Sequence, residues 1–454
     1  MDPDESSSHL STPAEPSGAL NPAADPRKMR RIIAEDPDWS LATVPDLGEL
    51  CIKHIVGNFE KNPILNDLKQ KHKNKVLELL STEISLKVTA RLVDDEGYWE
   101  RCCTSRWSVC DTSLYGGLWK RMFFERHVQE MIENFVPEAS DLNELTSTLI
   151  LGGQFVRNLT IRQLLPPIRD MVSKEDNGSD VTSEDGDGPS MDHLDFGGLF
   201  KYIPHLEEVH VTYGVRNCGM NFSWDLFQFT KHDCSLLSKS VKACRTLRVL
   251  HLHRSQVDDE QARLLISHVL DHPSLTSLDL SHNKVSYRGA RAIGKLLVSK
   301  CPLVSLNLCN NRIDSQGGGA IGHALQKNKK LTSLDLRLNR LCDDGGVSVL
   351  KSLVTNATLV ELNLASNELA EASAQVVSEV AIQNKSLKKL VLSCNRLGED
   401  GGKLIQEGME DNETILSMDL RQTSISEESE YCINQLLKRN QDNATATAAA
   451  LAEF

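Results

Sequence analysis

Three groupings in this chain have residue types and spacings that chemistry would use. Gly289-Ala-Arg-Ala-Ile-Gly294-Lys295-Leu296 spells most of a phosphate-binding loop, in which backbone N–H groups cradle phosphate and a lysine reaches the distal oxygens. Its last position is Leu296, where a magnesium-binding Ser or Thr is required, and Ile293, Leu296 and Leu297 have the spacing of one buried helical face. The stretch therefore reads as a helix and not as a nucleotide site. Cys102, Cys103, Cys110 and His127 are zinc-ligand types, but adjacent cysteines without a second paired knuckle do not suit a tetrahedral centre. His251 and His253 alternate on the exposed side of a strand, with His282 a repeat later, and no carboxylate, histidine and serine align into a hydrolytic set. The sequence predicts no catalytic, cofactor-binding or metal-ligating residue, and the chain is read as a non-enzyme that carries no cofactor.

What positions these residues is a repeat. The phrase Leu-x-x-Leu-x-Leu-x-x-Asn-x-Leu returns every 28 residues, with clear copies beginning at Leu275, Leu303, Leu331, Leu359 and Leu387. Flanking copies at Leu247 and Ile415 lack the Asn, as terminal repeats often do. A fixed period of this kind specifies a solenoid. Leu-x-Leu puts two apolar side chains on one face of a short strand. Asn283, Asn311, Asn339, Asn367 and Asn395 stand where the chain leaves the strand, with amides suited to backbone groups otherwise buried unpaired. The second half of each unit has helical spacing, as in Ala262, Leu265, Ile266 and Val269, or Val376, Val377 and Val380. Cys309 and Cys394 read as small buried residues of the repeats. The predicted fold is α/β, a ribonuclease-inhibitor-type leucine-rich repeat horseshoe with parallel strands on its concave side, preceded by a small all-α domain.

A net charge of -13 over 454 residues argues against a general nucleic-acid binder. The start, MDPDESSSHL, has neither a secretory nor an anchoring pattern, so the twelve cysteines are expected as reduced thiols. No apolar run has the length of a membrane span. Residues 1–26 read as a disordered tail and 27–137 as a helical domain that begins at the basic cluster Arg27, Lys28, Arg30 and Arg31. Within it, Trp99, Trp107, Trp119, Phe123 and Phe124 should build a small core. Residues 138–246 read as irregular leading repeats, with strands near Val156, Leu159 and Ile161 and near Leu206, Val209 and Val211. They carry an acidic loop, 174–192, where seven carboxylates against one Lys give -6, with Ser179, Thr182 and Ser183 as candidate phosphorylation positions. Leu206 to Leu247 exceeds a standard repeat by 13 residues, and the surplus, NCGMNFSWDLFQFT from Asn217, reads as a packed aromatic bridge between the helical domain and the horseshoe. Regular repeats occupy 247–440, and 441–454 reads as a frayed tail. Asn356-Ala-Thr and Asn412-Glu-Thr recur at helix ends and read as turn chemistry, not glycosylation.

With chemistry absent, area remains. The exposed strand positions include Ser277, Asp279 and Ser281, then Asn307 and Cys309, and so on to the last copy. The candidate partner-binding residues on this concave face are Asp279, Asn307, Asp335, Arg337, Glu361, Asn363, Lys389, Asp419 and Arg421. Neighbouring strands stand about 4.8 Å apart, so these residues form one continuous polar array suited to protein recognition.

The non-repeat blocks are more specific. MRRIIAEDPDWSLATVP from Met29, NFEKNPIL from Asn58, YWERCC from Tyr98, LWKRMFFERH from Leu118 and CGMNFSWDLF from Cys218 resemble the dynein regulatory complex subunit 5 family, across about Arg27 to Arg439. The resemblance implies a non-enzymatic scaffold subunit of the nexin link in the axoneme of motile cilia and sperm flagella, within the cytoskeleton. It would join doublet microtubules and regulate dynein-driven sliding through other subunits of the complex, the doublets or inner-arm dynein, with no nucleic acid and no membrane. A second resemblance competes. Leu47-Gly-Glu-Leu-Cys51-Ile-Lys-His-Ile55, followed by Trp99, Trp107 and Trp119, resembles the elongin-binding box and helical module of elongin A, which implies a substrate adaptor of a ubiquitin ligase.

Overall fold

The structure is a computed structural model in which residues 46–167, 192–222 and 224–452 are described. The 1–26 tail, the basic cluster from Arg27 to Arg31, and Ser179, Thr182 and Ser183 of the acidic loop lie outside them. Two compact units divide the chain, Met1–Val88 and Thr89–Phe454. In the first, α1 (Leu47–Gly57) packs on α2 (Gln70–Leu79), with Ile52, Phe59, Val76 and Leu80 buried. Leu50 and Leu79 of these helices are exposed. The helix α3 (Leu86–Leu92) spans the boundary.

The second unit opens with α4 (Glu96–Arg106), α5 (Trp119–Glu133) and α6 (Leu142–Gly152). Trp99 is fully buried against Phe123 and Phe124, at ring separations of 5.0 and 5.4 Å, and its indole N–H donates to the Val93 carbonyl. The predicted aromatic core is therefore present, centred on Trp99.

Strands then alternate with helices to the end of the chain. The strands are β1 (Asn158–Ile161), β2 (Glu208–Val211), β3 (Val249–Leu252), β4 (Ser277–Asp279), β5 (Ser305–Asn307), β6 (Ser333–Asp335), β7 (Glu361–Asn363), β8 (Lys389–Val391) and β9 (Ser417–Asp419). The helices are α7 (Gly197–Phe200), α8 (Lys231–Ala243), α9 (Asp259–Val269), α10 (Tyr287–Leu297), α11 (Ser315–Leu325), α12 (Cys342–Leu353), α13 (Glu371–Gln383), α14 (Gly398–Glu410) and α15 (Glu427–Ala452). All nine strands lie in one parallel sheet in sequence order, and from β4 onward each residue pairs with the one 28 positions later. The central leucine of each short strand from β4 to β8, and Met418 in β9, is buried toward the helices, and its neighbours face the other way. The predicted leucine-rich repeat fold and the helices before it are both observed.

Hydrogen bonds hold the units in register. The Asn311 amide donates to the carbonyls of Leu280, Leu308 and Cys309, and its oxygen accepts the Val285 N–H, so one side chain serves two successive repeats. Asn283, Asn339, Asn367 and Asn395 donate in the same pattern. A second ladder runs along the helix ends. Asn328, Asn356, Asn384 and Asn412 each donate back to a carbonyl of the previous repeat, at 2.6 to 2.8 Å, and accept two N–H groups of the turn that follows. These asparagines are at most 5% exposed. Sequence reading saw turn chemistry at Asn356 and Asn412, but not a ladder. His272 fills the same role two repeats before Asn328, accepting the Ser274 and Leu275 N–H groups at Nδ1.

Both ends of the sheet are covered. Glu125 of α5, 4% exposed, accepts the N–H groups of Arg157 and Asn158 at 2.8 and 3.1 Å, and Glu133 accepts that of Arg162 at 2.7 Å. At the other end Arg439, Asn440 and Gln441 of α15 donate to the carbonyls of Asn412, Ile415 and Leu416. Where a frayed tail was expected from 441, the helix continues to Ala452, as an alanine-rich run favours. The aromatic surplus after Asn217, expected to bridge to the helical domain, makes contacts within the leading repeats and with α9, whose Gln261 side chain donates to the Phe229 carbonyl. Phe229 packs on Tyr213 at 4.4 Å, and Phe227 covers Gly214, where a Cβ would come within 2.6 Å of its ring.

Candidate interaction surface

On the sheet face turned away from the helices, two rows of side chains run across the strands. Asp279, Asn307, Asp335, Asn363, Val391 and Asp419 are successive register partners, as are Ser277, Ser305, Ser333, Glu361, Lys389 and Ser417. The candidate residues Asp279, Asn307, Asp335, Glu361, Asn363, Lys389 and Asp419 thus share one surface. Arg337 and Arg421 follow β6 and β9 by two residues, at its edge.

The first row is held by its own backbone. In every copy but Val391, one side-chain oxygen accepts the N–H two residues on: Ser281, Cys309, Arg337, Ala365 and Arg421. Asn307 also donates to Asp279 at 2.8 Å, and Asn363 to Asp335 at 3.4 Å. Half of what these groups could offer a partner is therefore already used in shaping the strand exits. Burial pushes the Asp335 carboxyl up, with Arg337 opposing. The bidentate Arg421 guanidinium, at 2.8 Å on both oxygens, holds Asp419 down at about 2. The groups freest to reach outward are the exposed Glu361, Lys389, Arg337 and Arg421. Ser281, expected on the exposed row, is buried, because the chain has left the strand there; Cys309, read both as a row position and as a small buried residue, is buried, and Arg337 lies over its sulfur at 3.0 Å. Cys394, expected inside, is exposed and donates to Gln422, and all twelve cysteines are free thiols.

At the amino-terminal end of the same face His210 and His251 meet edge to face at 4.2 Å. His210 borders a depression of about 530 Å³ lined also by Arg162, Arg216, Phe227, His253 and Arg254. Burial lowers the pKa of His251, with the charge of His210 adding to it, and burial likewise lowers that of His253. A His–Asp pair unseen in the sequence does exist. His193 Nδ1 lies 2.8 Å from Asp233, both are buried, and Nε2 has no partner among the described residues. Asp233 also caps α8 with Thr230, so the pair ties the segment beginning at Asp192 to the start of α8.

The phosphate-loop resemblance resolves into packing. Gly289 and Gly294 lie inside α10, where a Cβ would fall 2.6 Å from Val285 and 3.2 Å from the Ala320 carbonyl. The N–H groups of Ser286 and Gly289 are taken by Asp259. Cys102 and Cys103 are buried in the aromatic core and His127 lies on its margin. No three His, Cys, Asp or Glu side chains among the described residues are grouped to hold a metal ion. No helix among them is long and apolar enough to cross a membrane.

With this geometry fixed, similarity to known proteins can be set beside it. A family model described as Leucine Rich repeat matches residues 271–294, 327–350 and 383–405. Three curated proteins, each called Dynein regulatory complex subunit 5, match as well. The one from Mus musculus is 50% identical over 58% of this chain and 53% of its own length, and the one from Homo sapiens 47% identical over 59% and 54%. That from Chlamydomonas reinhardtii is 31% identical over 49% and 50%. This chain is similar to the proteins called dynein regulatory complex subunit 5. It spans about half the length of the curated relatives it matches. The resemblance read from the non-repeat blocks is thus to the protein whose name these relatives carry.

Proposed function

We propose that the chain is a non-enzymatic scaffold subunit of the nexin-dynein regulatory complex in the axoneme of motile cilia and sperm flagella. There it helps link doublet microtubules and regulate dynein-driven sliding through contacts with other subunits, with the doublets or inner-arm dynein as further partners. The observation that carries this reading, beside the relatives' name, is the nine-stranded sheet, locked by two asparagine ladders, closed at both ends and lined by polar rows. Such an array transmits load and offers many shallow contacts, because adjacent repeats share one core. Charge reversal at Asp335, Arg337 and Arg421 in the full chain tests it. Co-purification of complex subunits from ciliated cells should fall, and undiminished recovery would remove the sheet face from the proposal.

One observation keeps the adaptor reading in play. Leu47 is 73% exposed and Cys51 is exposed on α1, as insertion into a partner groove would need. Elongin subunits recovered with the full chain, and lost with Leu47→Ala and Cys51→Ala, would favour it over the linker.

A further inference from the structure

The helical side of the repeats carries a charge concentration that the sheet-face reading does not use. On α10, Arg288, Arg291 and Lys295 stand at the i, i+3 and i+7 positions of one face, all exposed. Arg263 of α9 faces them across Ala292, and together with Tyr287 they line an open depression of about 430 Å³. A second depression of about 390 Å³ continues it along the α9 side, sharing Arg263, Ala292 and Lys295 and floored by small or apolar groups such as Ser267 and Leu264. Four cations thus meet one exposed carboxylate, Glu260, which pairs with Arg263 at 2.8 Å. Among the described residues no carboxylate lies within ion-pair distance of Arg288, Arg291 or Lys295. The feature is not a property of the repeat. The positions equivalent to Arg288, Arg291 and Lys295 are Gln316, Gly319 and His323 in α11, and Asp400, Lys403 and Glu407 in α14. In a chain of net charge -13, such a local reversal marks a place for a negatively charged partner.

We propose that the α9–α10 groove binds an acidic peptide segment of a partner protein. The spacing selects this class. Seven helical residues separate Arg288 from Lys295, about 10 Å along the axis, a span on which an extended chain places about three residues. Several carboxylates in a row can each meet a cation, and arginine forks suit them. A compact phosphate finds less here. The N–H groups at the start of α10 already serve Asp259, no buried donor points into the groove, and every cation is long and solvated. The groove lies on helices and shares no residue with the sheet-face rows, so either proposal can fail without the other.

Fluorescence anisotropy of a labelled decaglutamate peptide with the full chain tests the assignment. Saturable binding is expected, weakening as salt rises. R288E/R291E/K295E should weaken it roughly tenfold or more, as three exposed ion pairs of ordinary strength imply, while K385E/K388E, exposed lysines elsewhere, should leave it intact. Should the triple variant fold poorly, R291Q and K295Q, checked for an unchanged melting curve, each carry a smaller loss. The assignment is overturned by no saturable binding, by unchanged affinity in folded variants, by equal binding of decaglutamine, or by inorganic tripolyphosphate binding the groove where decaglutamate does not.

Discussion

The residue just before each strand-exit asparagine, or before Ser255 and Thr423 in the flanking copies, is forced into an expensive conformation. Arg254, His282, Asn310, Leu338, Ser366, Cys394 and Gln422 recur at 28-residue spacing, all with φ between 51° and 58°. L-residues other than Gly, Asn and Asp visit this left-handed region at a cost of roughly 1–2 kcal/mol. It persists because the N–H of each, Gln422 excepted, donates to a carbonyl of the next repeat, as Leu338 does to Ala365 at 2.9 Å. Leu338 is the least suited of the seven, being unable to bond locally and 47% exposed. Leu338→Asn, copying Asn310, should stabilise the chain by about 0.5–1 kcal/mol, seen as a rise in melting temperature; a fall would mean that the leucine has a packing role. Conversely, Asn311→Ala strands three buried carbonyls and should cost about 2–3 kcal/mol or more in urea unfolding. His127 sets a pH dependence. Burial, with Arg106 adding to it, lowers its pKa to about 4, and Nδ1 is buried without a partner. The unfolded chain therefore takes up the proton first. Stability contributed by neutral His127 is complete above about 6.5, and it drains away as pH falls from there toward 4. Tryptophan fluorescence should report loosening of the core in that window, with His127→Phe less sensitive to acid than the parent.

At the scale of elements, the helices that sequence reading set apart as a separate domain prove to be split. The segment from Thr89 onward belongs with the repeats, and α5 closes the sheet edge that β1 would otherwise expose. Glu125→Ala would leave the Arg157 and Asn158 N–H groups and the Arg121 guanidinium without their shared acceptor, and should destabilise this unit by roughly 3–5 kcal/mol. Protection of the β1 amides in hydrogen exchange should collapse first, and uniform loss across all strands would argue against an edge role. The strands, the repeat-helix faces and the asparagines at the strand exits were legible beforehand because a period of 28 residues averages over local ambiguity. Glu125 was not, because a glutamate on a helix carries no mark of the backbone it will meet 32 residues later. The His193–Asp233 pair was hidden for the same reason, its partners lying 40 residues apart. The rows of candidate residues could be read as strand positions, but not that Asp279, Asn307 and Asp335 spend an oxygen each on the turn after the strand. That commitment depends on side-chain rotation, which spacing does not encode.

For the whole molecule, the two ladders mean that repeats are interchangeable in their joints although not in their surfaces. Deleting Leu331 to Thr358, one period of 28 residues, would join Lys330 to Leu359 and remove Asn339 and Asn356 together. Asn367 would then meet the Leu308 carbonyl in place of Asn339, and Asn384 the Leu325 carbonyl in place of Asn356, since each donates at the same offset. The shortened chain should fold cooperatively, with a smaller urea m-value and stability lowered by the loss of one interface. Its sheet face, however, loses Asp335 and Arg337, and brings Asp419 and Arg421 one strand, about 4.8 Å, nearer Asp279. A partner gripping both ends of the face must lose register and be recovered poorly. One that binds only the amino-terminal strands or the α9–α10 groove should be retained at full strength. Recovering every partner unchanged would show that no contact spans the face, whereas a deletion variant that unfolds outright would show that the repeats are not the modular springs a mechanical linker requires.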